Sequence, residues 1–160
     1  MEKHLEVKQA RNGKGVFAKK NFKNDSTLFE VKGTFLTCFE DEIIDDHIRD
    51  NTFRFDKDLF LSPEGEIANY ANHSCVPNAK VVKKNKKLYL VAIADIQKGE
   101  EVVFDYSTII AADDVWSMNC NCGTDNCRSV VKRFTLLPKT LKDIYMAKNI
   151  VPSYILDIQS

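Results

Sequence analysis

Short runs in which apolar and polar residues alternate fill the first two-thirds of the chain, each closed by turn-forming residues. Leu5-Glu6-Val7-Lys8 alternates, Asn12-Gly13-Lys14-Gly15 interrupts, and Val16-Phe17-Ala18 resumes. Residues 27–31 and 34–39 read as two strands separated by Gly33. Phe53, Phe55, Leu59 and Leu61 stand in near-alternation, ended by Ser62-Pro63-Glu64-Gly65. The clearest hairpin spans 79–94, where Lys80-Val81-Val82 and Leu88-Tyr89-Leu90-Val91-Ala92 flank Lys83-Lys84-Asn85-Lys86-Lys87. A polar turn over 96–101 leads into a strand at Val102-Val103-Phe104. Past Cys127 the period changes. Leu141, Ile144, Tyr145 and Ala147 share one helical face, and Pro152 stops the run. The pattern predicts a mostly β domain with one or two helices over 141–158 docked on it.

Length and charge narrow the function classes. The 160 residues are the size of one domain with a real core, and 44% apolar with 29% charged content is ordinary for a globular chain. Twenty-three basic residues balance 23 acidic ones, which argues against a general nucleic-acid or membrane-surface binder. The lysines of the 83–87 turn then read as a solvated charged turn rather than a nucleic-acid contact. Neutrality is uneven, however. Between residues 39 and 58 eight acids (Glu40, Asp41, Glu42, Asp45, Asp46, Asp50, Asp56, Asp58) face three bases (Arg49, Arg54, Lys57), a net of −5. Such a stretch either steers a basic peptide or is a solvated acidic surface. The start of the chain has no apolar signal segment and no apolar run reaches membrane-spanning length, so the expectation is an intracellular protein, cytoplasmic or nuclear, with no membrane partner.

The five cysteines supply the chemistry. An odd number suits neither a closed disulfide framework nor a secreted chain. Cys120-Asn121-Cys122-Gly123-Thr124-Asp125-Asn126-Cys127 is a C-x-C-x4-C run, whose close pair and glycine turn suit one structural zinc ion. Zinc of this kind takes four ligands. Cys38 sits in an apolar strand, where a thiol behaves as a small hydrophobe. Cys75 lies in the polar loop Asn72-His73-Ser74-Cys75-Val76-Pro77-Asn78 and is the better fourth ligand.

Four blocks taken together, Gly13-Lys14-Gly15-Val16, Asn72-His73-Ser74-Cys75-Val76-Pro77-Asn78, Gly99-Glu100-Glu101-Val102-Val103-Phe104-Asp105-Tyr106 and the cysteine run, resemble the SET-domain protein lysine methyltransferases with a post-SET zinc segment. The resemblance covers about Val7 to Arg128. It implies a fold of small curved β-sheets in which the 72–78 and 104–106 segments cross as a pseudoknot. It further implies a SET domain over 1–110, a post-SET zinc segment over 111–130 and a C-terminal helical extension over 131–160. S-adenosylmethionine would lie on one face and a substrate lysine would enter from the other. Lys14, Gly15 and Val16 would meet the cofactor through backbone, and Asn72 and His73 would hold its adenine and amino-acid ends. Tyr106 would be the catalytic tyrosine, Phe104 would line the lysine channel beside it, and Cys75, Cys120, Cys122 and Cys127 would share the zinc. Phenylalanine at 104 goes with di- or trimethylation in the family. The chain departs from the family at Asn69-Tyr70, where Arg-Phe is common, and no role carries over to Asn69. Trp116, Val130, Val131 and Phe134 could close the channel or cover the cofactor, although plain packing is the commoner use of such residues.

The chemistry implied is displacement by a neutral amine on a methyl sulfonium. A free lysine, with pKa near ~10.4, is neutral in only about one molecule in ~10³ at neutral pH. A desolvating aromatic channel lowers that pKa, and alignment of the reactants is worth ~7–11 kcal/mol. Tyr106, as a phenol, reads as an orienting group rather than a full base. The partner expected is a lysine-containing basic protein, a histone tail or another target. The rival readings are a SET-like module that binds cofactor or peptide without turnover, and a zinc-ribbon nucleic-acid binder. Zero net charge and a single C-x-C-x4-C run fit the last poorly.

Overall fold

The computed structural model describes residues 2–37 and 49–159. The strand part of Cys38 and the acids Glu40, Asp41, Glu42, Asp45 and Asp46 lie outside them.

Twelve strands are described: β1 (Leu5–Ala10), β2 (Gly13–Ala18), β3 (Thr27–Val31), β4 (Thr34–Thr37), β5 (Phe53–Asp56), β6 (Leu59–Ser62), β7 (Asn72–His73), β8 (Ala79–Lys84), β9 (Lys87–Ala92), β10 (Glu101–Phe104), β11 (Met118–Asn119) and β12 (Val130–Val131). They form a sheet in the order β1-β2-β10-β8-β9-β3 with β7 also paired to β10, a three-stranded sheet β4-β6-β5, and the small pair β11-β12. The alternation read from the sequence becomes burial. Leu28, Phe29, Val81, Leu88, Leu90 and Val102 are shut off from solvent and share one core with Val16 and Ile96.

The 79–94 hairpin forms as the pattern predicts. Its two-residue turn places Asn85 and Lys86 at φ 50° and 58°, the left-handed pair that matches the twist of the flanking strands. Lys83 and Lys87 close on acids of the same chain, Asp56 at 2.8 Å and Glu30 at 3.0 Å.

Two elements differ from expectation. The Gly13-Lys14-Gly15 stretch does not break the strand; it pairs with β1 throughout, and the turn shrinks to Arg11-Asn12. The 53–61 run is a hairpin, β5 and β6, turning at Lys57-Asp58. Buried Arg54 staples that hairpin: Nη1 and Nη2 each donate to an Asp113 oxygen at 2.9 Å, Nη2 also to Lys57 O, and Nε donates to Asp56 O at 2.8 Å.

Strand β10 is where sequence-distant pieces meet. It pairs antiparallel with β2 and parallel with both β7 and β8. The loop joining β7 to β8 wraps its end, with Ser74 N donating to Phe104 O and Asn78 N to Val103 O, both at 3.1 Å. The Asn78 side chain completes the grip by accepting from Val103 N at 2.9 Å and donating to Glu101 O at 2.8 Å. This is the crossing of the 72–78 and 104–106 segments expected above.

Helices α1 (Lys139–Ala147) and α2 (Ser153–Asp157) follow. The helical spacing read over 141–158 becomes these two helices, parted where Asn149 turns to φ 51° ahead of Pro152. Phe134, Leu137, Tyr145, Ile150, Ile155 and Ile158 build a second core with Ala111. Phe134 is buried by this packing, and Val131, in β12, is also buried.

Candidate active site and metal centre

Parallel pairing sets Phe104 beside His73 and Val103 beside Asn72. Two cavities lie on either side of this junction. A narrow one of about 90 Å³ is walled by Phe53, Ala68, Ala71, Phe104 and Ile109. A broader, more polar one of about 350 Å³ is lined by Asn12, Asn72, His73, Met118 and the 119–122 backbone. Asp50, Asn51, Tyr106 and Trp116 border both.

The narrow cavity is aromatic. Phe104 stacks on Phe53 with centroids 5.5 Å apart and meets Tyr106 at 4.9 Å. Trp116 stands 6.4 Å beyond Tyr106. Its indole Nε1 donates to Asp50 Oδ1 at 2.7 Å and its amide to Asp114 Oδ1 at 2.9 Å. Trp116 is thus clamped as a wall between the two spaces.

The Tyr106 hydroxyl donates to Ala71 O at 2.8 Å. Burial first, and the Glu101 carboxylate second, raise its pKa well above the ordinary phenol value. With its proton committed to a carbonyl, the oxygen has only lone pairs left to offer.

His73 links the junction to the cysteines. Its Nδ1 accepts from Tyr106 N at 3.1 Å. The ring proton therefore sits on Nε2, which faces Cys75 Sγ at 3.4 Å. Burial depresses the imidazole pKa to about 4, with Asp105 opposing and Arg128 assisting, so the ring is neutral at physiological pH.

Glu101 and Gly15 explain each other. Asn72 Nδ2 donates to Lys14 O at 2.9 Å and to Glu101 Oε1 at 2.7 Å. A Cβ at residue 15 would lie 2.2 Å from that carboxylate oxygen and 2.9 Å from Ala10 Cβ. Only glycine leaves room for the carboxylate that fixes Asn72. Lys14, Gly15 and Val16 do not themselves line the broad cavity. Val16 is buried in the main core, and the segment reaches the site through Asn72.

The four sulfurs of Cys75, Cys120, Cys122 and Cys127 lie within 4.8 Å of one another. A tetrahedral set with metal–sulfur bonds of ~2.3 Å has edges of about 3.8 Å, and Cys75 Sγ stands 3.7 Å from Cys120 Sγ. An all-sulfur tetrahedral set fits zinc. The surroundings suit thiolates: Arg128 N donates to Cys75 Sγ at 3.4 Å, and the Thr124 hydroxyl lies 3.2 Å from Cys122 Sγ. Burial opposes ionisation of Cys122, yet the Thr124 hydroxyl, backbone amides and Cys120 hold its thiol down at about 6. Burial pushes the Cys75 thiol up, a cost that a bound cation offsets. Gly123, at φ 77°, lets the loop turn back under the Arg11 guanidinium. Arg11 Nε and Asn12 Nδ2 both donate to Asn121 O, at 3.1 and 3.0 Å, tying the β1–β2 turn to the cysteine loop.

Phe104, Tyr106, Asn72, His73 and the four cysteines are therefore gathered in one region. Asn12, Asp50, Glu101 and Met118 join them without having been singled out. Asn12 in the glycine turn, Glu101 in the 99–106 block and Asp50 in the acidic stretch were present in the sequence without a role assigned to them.

The SET domain family model matches residues 13–107. The chain is 31% identical over 134 residues to a histone-lysine N-methyltransferase, H3 lysine-4 specific, of Schizosaccharomyces pombe, covering 71% of this chain and 13% of that protein. It is 32% identical over 127 residues to human histone-lysine N-methyltransferase 2D, covering 72% of this chain and 2% of the relative. A third relative, an H3 lysine-4 specific histone-lysine N-methyltransferase of Mycosarcoma maydis, is 40% identical over 82 residues, 48% of this chain and 6% of its own length. The chain thus spans a small fraction of the length of these relatives. With the crossing of β7, β8 and β10 and the matched segment both in place, this chain belongs to the SET-domain family.

Proposed function

We propose that the chain is a protein-lysine N-methyltransferase that takes its methyl group from S-adenosylmethionine and places it on the ε-amine of a lysine in a basic protein, a histone tail being the first candidate. The observation that carries this reading is the meeting of a narrow aromatic cavity and a broad polar one at one half-buried tyrosine, Tyr106. A narrow apolar slot suits an alkyl-ammonium stem, and the broad cavity offers amide, imidazole and backbone groups to a nucleoside-sized ligand. The names of the relatives support a histone lysine as acceptor, which would put the enzyme's work in the cytoplasm or nucleus.

S-adenosylmethionine, when bound, supplies a methyl group on a positively charged sulfur. Asn72, held by Lys14 O and Glu101, and residues 119–122 would keep that donor in the broad cavity, the Lys14–Val16 segment acting through its bond to Asn72. Phe53, Phe104 and Trp116 strip water from the lysine stem and favour the neutral amine. The Tyr106 oxygen, able only to accept, orients the amine N–H and draws the nitrogen lone pair towards the donor side. Raised above its usual value, the Tyr106 phenol does not act as the base; the proton leaves the amine before or after transfer to solvent. Cys75, Cys120, Cys122 and Cys127 would hold one zinc ion whose work is structural, fixing the 111–130 segment as a wall of the site. The matched family segment ends at residue 107, which supports 1–110 as the SET unit, 111–130 as the zinc segment and 131–160 as an extension.

Phe104 offers no hydroxyl to hold a water in the channel, so the reading extends to di- or trimethylation. Labelled S-adenosylmethionine with core histones, and separately with a cell lysate, is expected to transfer label to lysine. Absence of label from both acceptors overturns the reading in favour of a binding module. Mass spectra showing only monomethyl-lysine from wild type and from Phe104→Tyr alike overturn the extension.

A further inference from the structure

Beside the catalytic strand lies a buried charge that neither cavity touches. Phe104 and Tyr106 face the narrow cavity, so the side chain between them, Asp105, turns to the opposite side, where it is fully buried. Its Oδ1 accepts from Ser107 N at 3.0 Å and from Arg128 Nη2 at 2.8 Å. Its Oδ2 lies 2.8 Å from Arg128 Nη1 and accepts from the Tyr145 hydroxyl, also at 2.8 Å. Three hydrogen bonds therefore reach this carboxylate, and His73 Nδ1 stands 3.5 Å from Oδ1.

The donors come from three different parts of the chain. Ser107 belongs to the turn that carries Tyr106, Arg128 follows the last cysteine, and Tyr145 comes from α1. Tyr145 is 4% exposed while its helix neighbours Ile144 and Met146 are 49% and 47% exposed. The helix therefore inserts one side chain into the base of the site, and that side chain ends on Asp105. From Asp105 the main chain runs directly to Tyr106 N, which is bonded to His73.

We propose that helix α1 is a working part of the catalytic centre and that Tyr145 is a positioning residue, fixing Tyr106 through Asp105. This rests on the methyltransferase reading. A buried ion pair left with one open acceptor site is strongly destabilised locally. Without the Tyr145 hydroxyl, Asp105 shifts towards Arg128 and the Phe104–Tyr106 segment loses its fixed pose, while the bonds of Asn72 to Lys14 O and Glu101 do not pass through Asp105.

Tyr145→Phe tests this, since it keeps the ring in the second core and removes only the hydroxyl. The expected result is a fall in kcat of about 10-fold at saturating donor and acceptor. The dissociation constant of S-adenosylmethionine should move by less than about 3-fold in the same variant, because Asn72 and its partners are untouched. Amide exchange at residues 105–109 should quicken by about 10-fold. Ile150→Val is the matched control: it loosens the same core with the hydroxyl in place, and should lower Tm with kcat unchanged. Equal kcat loss in both variants, or a Tyr145→Phe enzyme with wild-type kcat and unchanged exchange at 105–109, overturns the proposal. If wild type transfers no methyl to any acceptor, the functional reading fails on its own. The exchange comparison, which needs no substrate, still decides whether Tyr145 braces Tyr106.

Discussion

The β-sheet core and the cysteine segment build one site by opposite means. The sheet is held by burial: Leu28, Phe29, Leu88, Leu90 and Val102 are fully shut off from solvent, and ladders of backbone hydrogen bonds run from β1 to β3. Residues 112–130 bury little. Their side chains alternate between half-buried and exposed, Val115 is 88% exposed, and their regular structure is two two-residue strands. What holds this segment is a four-sulfur cluster, the Arg128–Asp105 and Arg54–Asp113 pairs, the Trp116–Asp50 bond and the Arg11 and Asn12 bonds to Asn121 O. The cavity walls thus come half from a part stabilised by the hydrophobic effect and half from a part held by charge, hydrogen bonds and a four-cysteine cluster able to coordinate a metal. The two halves should fail independently.

The largest effect should come from the metal. Structural zinc contributes ~10–16 kcal/mol of apparent binding energy at such sites. Chelation, or Cys127→Ser, is expected to abolish methyl transfer and to speed amide exchange over 112–131, while far-UV circular dichroism of the strands persists. Collapse of the whole sheet on chelation would merge the two regions into one cooperative unit. Leu90→Ala strikes the other half. It should cost about 2–5 kcal/mol in urea unfolding, with zinc content and kcat per folded molecule unchanged. Gly15→Ala sits at the border. The added methyl displaces the Glu101 carboxylate, loosens Asn72 and costs about 1–3 kcal/mol, seen as a raised KM for S-adenosylmethionine more than a lowered kcat. Lys87→Ala should barely register. Its pair with Glu30 is half-exposed on the lysine side, so the loss should fall within the error of the melt, and melts at low and high salt should converge.

The same division decides what could be read from the sequence. Local features were legible. The C-x-C-x4-C run, the Asn72–Asn78 block, the alternation of β8 and β9 and the helical spacing near Tyr145 are all written within ten residues. Cys75 could be chosen over Cys38 by the polarity of its loop. The β5–β6 turn escaped because Lys57-Asp58 carries neither glycine nor proline. The pairing of Gly13–Gly15 escaped because glycine signals a turn whether or not a neighbouring strand accepts it. Partnerships across the chain left no local mark: Glu101 with Asn72 and Gly15, Asp50 with Trp116, Tyr145 with Asp105. Each joins residues 29 or more positions apart, which only the folded chain brings together.

The central claim is that Tyr106, at the junction of the two cavities, orients the lysine amine for transfer. Single-turnover methyl transfer at saturating S-adenosylmethionine, wild type against Tyr106→Phe, tests it directly. Loss of the hydroxyl keeps the ring against Phe104 and Trp116 and removes only the orienting oxygen. The rate should fall by about 10²-fold while the dissociation constant of S-adenosylmethionine stays within about 3-fold of wild type. Equal rates for the two proteins would contradict the assignment of Tyr106 as the group that does the chemistry's aiming.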